Sequence, residues 1–157
     1  VLRASLQKGF ATVLCPRRPL YFDFLQQKAD KWGRVWDGFC PLEDVYAFPE
    51  KQEEEWNLPA YSRDFILGIQ ANLWTERIHN EKRLDYMTFP RLCALAEAAW
   101  TLEERKDYGH FLNRLEDAYR LLDRYGIYYF DSRNPAAHPE PEGCRRQERE
   151  MPLDFRD

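Results

Sequence analysis

No apolar run in this 157-residue chain approaches the roughly 20 residues needed to cross a bilayer, which argues against a membrane-spanning helix. No signal-peptide pattern opens the chain, and its first residue is Val1 instead of methionine, so the N-terminus reads as a cut. Lysines and arginines gather into no basic stripe, and the net charge is −4 with a pI near 5.5. Nucleic acid is therefore a poor candidate partner. Cysteine is sparse: Cys15, Cys40, Cys93 and Cys144 stand far apart with no C-x-x-C pair, which argues against a zinc site. Cys15 and Cys93 lie in apolar runs and are expected to be small buried hydrophobes. No internal repeat is visible, and the residues imply no metal or organic cofactor.

What is present is a core and many rings. Hydrophobic residues make up 44% of the chain, enough to exclude wholesale disorder, and the aromatic share is 15%. Several aromatics fall at strand ends. Thr12-Val13-Leu14 is a β-type run, Pro16 and Pro19 oppose a helix, and residues 20–24 resume an apolar extended segment. A loop rich in Trp, Gly and Asp follows and carries Trp32 and Trp36, either of which could line the outer part of a ligand site or pack the loop. The stretch PLEDVYAF predicts one or two helical turns after Pro41, and residues 51–63 predict an exposed connection.

The run from Phe65 to Ile69 reads as a buried strand. In TFPRLCALAEAAW a helix is expected, capped by Thr88, with Leu92, Leu95, Ala96 and Ala99 as its apolar stripe. A second helix is expected from Asp107 to Arg124, with a stripe of Phe111, Leu112, Leu115, Ala118, Tyr119 and Leu122 and a stop at Gly126. IYYF suggests a short final strand. Residues 132–157, dense in proline and charge, read as a tail or linker after a 1–131 body. Strands alternating with helices argue for α/β and a parallel sheet, but two strands alone leave most of such a sheet missing.

Both strand regions end alike. Tyr21 and Asp23, like Trp74 and Glu76, stand two residues apart and share a face wherever the chain stays extended. Ligands of parallel α/β folds bind at the carboxyl ends of strands. A ring that packs on a sugar's C–H face and a carboxylate that accepts from its hydroxyls would suit a carbohydrate. Equally, Trp74 could pack under a helix and Glu76 cap a turn. Spacing alone leaves both readings standing.

At GIQANLWTERI and LDYMTFPRLCALAEAAW the chain closely resembles the last barrel strand and following helix of family 20 glycoside hydrolases, the β-N-acetylhexosaminidases. LYFDF resembles the penultimate strand, PLEDVYAFP the segment between, and HFLNRLEDAYRLLDRYGIYYF the C-terminal helix and closing strand. The resemblance implies an α/β chain forming the C-terminal portion of a (β/α)8 TIM barrel, with the last two barrel strands and following helices, incomplete as a single chain. It implies removal of terminal N-acetylglucosamine or N-acetylgalactosamine, with the substrate's own acetamido oxygen as nucleophile.

By position, Tyr21 is similar to the tyrosine that bonds the acetamido oxygen. Asp23 and Glu76 resemble the carboxylates that grip the outer hydroxyls, O4 and O6, and Trp74 a wall of the terminal-sugar pocket. Arg91 and Glu97 match the family too, and a structural ion pair or carboxylate-to-backbone bond is the expected role. The partners implied are an amino-sugar glycoside and the N-terminal remainder of the barrel, in the same or a separate chain. A lysosomal, periplasmic or secreted location is what the family leads one to expect.

The family's catalytic Asp-Glu dipeptide occurs nowhere in the sequence; Glu43-Asp44 and Glu116-Asp117 are reversed. The chain is thus expected to hold substrate-binding walls without the general acid, and to be inactive alone. The alternative is a non-catalytic carbohydrate-binding or scaffold fragment. Such a module should have replaced its barrel-facing apolar residues with polar ones, and TVL and FILGI are as apolar as central strands require.

Overall fold

A computed structural model describes residues 2–35 and 38–143. Trp36 and Cys144 lie outside the described residues. In chain order the elements are α1 (Leu2–Gln7), β1 (Thr12–Leu14), a helical turn α2 (Arg17–Leu20), α3 (Leu42–Tyr46), α4 (Glu50–Trp56), a 3-10 helix (Ala60–Phe65), β2 (Ile66–Ile69), α5 (Glu81–Thr88), α6 (Arg91–Trp100), a 3-10 turn (Glu103–Arg105) and α7 (Tyr108–Tyr125).

The two strands pair in parallel, as expected of α/β, with Thr12 opposite Ile66 and Leu14 opposite Ile69. β2 carries one extra residue between those pairs, so the ladder is irregular there. Leu14 turns into the core, whereas Val13 and Leu67 are exposed. Helices α3, α6 and α7 close over one side of the pair. Leu14, Leu42, Val45, Phe48, Ala94, Phe111, Leu115 and Leu122 meet there in one apolar cluster. A smaller cluster joins Leu25, Tyr86, Met87 and Phe130.

Local chemistry accounts for the best-defined helix. The Asp107 carboxylate accepts from the His110 N–H at 2.9 Å, satisfying one of the orphan donors of the first turn of α7. Phe111, Leu115, Tyr119 and Leu122 recur at helical spacing and are buried. Gly126, with φ of 68°, ends the helix in the left-handed region, where a Cβ would be strained.

Several expectations are corrected. Residues 51–63 are mostly exposed or half-buried, as expected, but they are not an irregular connection, because α4, which buries no residue, and a 3-10 helix occupy most of them. Between β1 and Tyr21 the chain makes a helical turn despite its prolines: Arg18 and Pro19 leave helical angles, and the turn survives as one loop of backbone bonds, Leu20 N–H to Pro16 and Tyr21 N–H to Arg17. Thr88 does not cap the helix that follows. It ends α5, its hydroxyl donating back to the Leu84 carbonyl, and Asn80 caps that helix by accepting from Arg83 N–H at 2.8 Å. Residues 127–130 form no strand. Among the described cysteines Cys40 is buried, whereas Cys15 and Cys93 are only half-buried, and the Cys15 sulfur accepts from the amide of Asn72 at 3.0 Å.

The buried face of α6 is Arg91, Ala94 and Ala98, not the expected stripe; Leu92, Ala96 and Ala99 are exposed. Arg91 explains the inversion. Its guanidinium donates to the carbonyls of Phe22 (2.6 Å), Phe24 (2.9 Å) and Cys40 (3.1 Å), and to that of Met87 one turn back. It also lies over the Phe22 ring, 4.7 Å from its centre. Burial pushes it down to about 10, so it stays charged at neutral pH. The structural role expected of Arg91 holds, with carbonyls in place of a carboxylate; Glu97 pairs instead with Arg114 on α7.

Candidate functional site

The ladder does not end at Leu14 and Ile69. Gln70 N–H donates to the Leu14 carbonyl at 2.9 Å, and after the turn at Arg17–Leu20 the pairing resumes. Asn72 N–H reaches the Leu20 carbonyl at 2.8 Å, Phe22 N–H reaches the Asn72 carbonyl at 2.7 Å, and Tyr21 and Asn72 form a parallel bridge. These bonds carry Tyr21 and Asp23 past the end of β1 until they stand beside the chain leaving β2. Trp74 and Glu76 lie beyond the regular part of β2, on backbone that is no longer strand. A shared strand face is therefore not what unites them with Tyr21 and Asp23. Side-chain contact does.

The Tyr21 and Trp74 rings lie 6.1 Å apart between centres, tilted by 54°. Trp74 is 48% exposed, so it is not packed under a helix. Asp23 is buried, with 4% exposure, while the Glu76 side chain is 62% exposed. Arg34 connects them: its Nη1 stands 3.0 Å from Asp23 Oδ2 and its Nη2 3.7 Å from Glu76 Oε1. Both oxygens of Asp23 are enclosed, and besides Arg34 the backbone N–H groups of Asp23 and Trp74 favour its charged form. Burial pushes the Asp23 carboxyl above the usual carboxylate range, and Arg34 opposes that rise.

The four residues singled out in the sequence thus meet as two pairs, Tyr21 with Trp74 and Asp23 with Glu76 through Arg34. Arg34 was missed. The available signal was a cation in the loop following the Tyr21–Asp23 segment, a place where a buried aspartate needs one. The loop is held by Phe24, which bridges to Arg34 in parallel, and by Leu25 N–H bonded to the Arg34 carbonyl at 3.0 Å.

A second clamp holds the same loop from outside. Glu140 accepts from Lys31 N–H at 2.6 Å, from Trp32 N–H at 3.0 Å and from Arg83 Nη1 at 2.8 Å, and Arg83 also donates to the Trp32 carbonyl. Trp32, half-buried, is packed beside this clamp. Residues 133–143 are thereby tied to the body, with His138 against the ring of Tyr129, 4.0 Å between centres, and residues 144–157 of the expected tail lie outside the described residues.

An open groove of about 620 Å³ lies elsewhere, lined by residues of α1, β1 and α4 that include Leu2, Val13 and Trp56 but none of the four candidates. Among the described residues no group of three or more His, Cys, Asp or Glu could hold a metal ion, and no helix is long and apolar enough to cross a membrane.

Comparison with known proteins identifies relatives of one family. The family model "Glycosyl hydrolase family 20, catalytic domain" matches residues 1–103. A beta-hexosaminidase of Porphyromonas gingivalis is 41% identical over 110 residues, which is 70% of this chain and 14% of that protein. The crystal structure of an exo beta-N-acetylglucosaminidase of Vibrio harveyi with N-acetylglucosamine superposes with a TM-score of 0.72 at 38% identity, over 83% of this chain and 21% of that one. The Streptomyces plicatus N-acetyl-beta-hexosaminidase gives a TM-score of 0.73 at 28% identity, over 83% and 25%. The chain spans a quarter or less of the length of these relatives.

Proposed function

The chain belongs to glycosyl hydrolase family 20, a family of TIM-barrel glycosidases, and from that premise we propose that it supplies the sugar-binding walls of an exo-β-N-acetylhexosaminidase without the catalytic Asp-Glu pair. In this reading β1 and β2, with their extensions to Asp23 and Glu76, are the last two strands of the barrel, and the remaining strands come from the N-terminal part of the enzyme. The exposed side chains of Val13 and Leu67 support it, because they present apolar surface where further strands would pack.

The observation that carries the proposal is the convergence of Tyr21, Trp74, Asp23 and Glu76 where the two paired segments end. Trp74 forms a wall for the apolar face of a terminal N-acetylglucosamine or N-acetylgalactosamine. Asp23 and Glu76 accept from its outer hydroxyls. The Tyr21 hydroxyl donates to the acetamido oxygen and holds it for attack on the anomeric carbon. As that oxygen bonds to the anomeric carbon, the glycosidic C–O bond breaks, and the leaving oxygen takes a proton from a glutamate outside this chain. Water then opens the cyclic intermediate, which retains the anomeric configuration.

The test is hydrolysis of a chromogenic N-acetyl-β-glucosaminide by this chain alone and mixed with the N-terminal barrel portion. Activity is expected only in the mixture, with loss on Tyr21→Phe or Glu76→Gln. Activity of the chain alone would overturn the assignment of the general acid to another segment. A soluble, folded but inactive mixture would favour a non-catalytic carbohydrate-binding fragment.

A further inference from the structure

We propose that Arg34 is a positioning residue of the sugar site, its guanidinium setting the spacing and the charge of the Asp23–Glu76 pair so that both carboxylates present acceptors to the same sugar. The inference rests on the hexosaminidase reading and adds to it a residue from a different segment, the loop after the Tyr21–Asp23 strand end.

The geometry is unequal on its two sides, and the inequality is informative. Asp23 is almost fully buried, and its partner cation is close at 3.0 Å; Glu76 is largely solvated, and the same cation stands off at 3.7 Å. A buried carboxylate next to a second carboxylate is disfavoured as an anion unless a cation is fixed nearby. Three charged side chains and, besides its own, one backbone N–H act on Asp23. Arg34 stands in the loop, Glu76 follows β2, the backbone N–H of Trp74 lies on the same segment, and Arg91 of α6 is bonded to the carbonyls of Phe22 and Phe24 on either side of Asp23. Arg91 spends its donors on carbonyls, so Arg34 is the cation that faces the carboxylate itself.

The planar fork of Arg34 lets two nitrogens address two carboxylates at once, which a lysine ammonium does less well. Each carboxylate oxygen carries more than one lone pair, so the contact between Arg34 and Asp23 Oδ2 neutralises part of the pair's charge without exhausting its acceptors.

Two measurements test this, one independent of catalysis. In the chain itself, the Asp23 carboxyl carbon is titrated by ¹³C NMR in the wild type, in Arg34→Gln and in Arg34→Lys. Removal of the guanidinium charge is expected to move the Asp23 midpoint upward, and the lysine variant to restore most of it. In the assembled enzyme, Arg34→Gln is expected to raise KM roughly tenfold, about the weakening of one charged hydrogen bond, with a much smaller change in kcat. The acid-side loss of binding should also begin at higher pH, because Asp23 protonates earlier as the pH falls.

A variant that unfolds more easily yet keeps the wild-type Asp23 midpoint and KM would reduce Arg34 to a loop-packing residue and overturn the proposal. An assembled wild type with no activity would instead sink the hexosaminidase reading, and the NMR titration would still decide whether Arg34 governs Asp23. Circular dichroism of Arg34→Lys, expected to match the wild type, separates misfolding from loss of the charge.

Discussion

Replacing Arg91 by methionine tests the most consequential packing arrangement in the molecule. Methionine keeps an unbranched, apolar chain of similar reach, so contact with the Phe22 ring survives while the guanidinium is lost. Four carbonyls then lose their donor: Phe22, Phe24, Cys40 and Met87. At about 1 kcal/mol for each hydrogen bond forfeited, the loss is about 4 kcal/mol. A domain of this size has about 5–15 kcal/mol in total. With a urea slope of about 2 kcal/mol per molar, the midpoint should fall by about 2 M.

The assay is equilibrium urea unfolding of the chain, followed by tryptophan fluorescence and far-UV circular dichroism, with Arg91→Lys in parallel. Lysine keeps the charge and up to three donors but not the planar fork, so it should lie between wild type and Arg91→Met. A midpoint shift below about 0.5 M for Arg91→Met, with an unchanged slope, would refute the reasoning. It would mean that water satisfies those carbonyls as well as Arg91 does, and that the burial of an arginine on α6 contributes little to the fold.

Glu140→Ala should release the loop from the clamp, with faster hydrogen exchange at the Lys31 and Trp32 amides and a stability loss of about 1–3 kcal/mol; unchanged exchange at both amides would show that Glu140 does not hold them. Leu14→Ala should cost about 2–5 kcal/mol because Leu14 is enclosed by the main apolar cluster. Leu67→Ala, at a position 71% exposed, should stay within about 0.5 kcal/mol in the chain alone, and equal losses at the two sites would contradict the burial pattern of the strand pair.

The division between what was legible and what was not follows from the range of the interactions involved. Thr12–Leu14 and Ile66–Ile69 announce themselves by β-type apolar runs, although β2, expected to be buried, has no fully buried residue; α7 announces itself by its stripe and Gly126, and all these are properties of residues within a few positions of one another. The aromatic-x-carboxylate spacing located Tyr21, Asp23, Trp74 and Glu76. It did so for an incomplete reason, since the chain is not a regular strand at Trp74, and the group is assembled by resumed pairing at Asn72 and by Arg34.

On α6 the sequence reading favoured Leu92, Leu95, Ala96 and Ala99 as core because they recur at apolar helical spacing, and of these only Leu95 packs against the core. Nothing local could show that Phe22, Phe24 and Cys40, from 51 to 69 positions away, would offer Arg91 their carbonyls. The same holds for Arg34, whose value to Asp23 depends on a loop being folded back beside it. Local pattern by itself determined the two strands, the last helix and its C-terminal stop, and the residue types of the proposed sugar site. Only the tertiary structure decided which polar side chains are buried and whom they serve, because a buried charge is tolerated only where distant backbone or an opposite charge is brought to meet it.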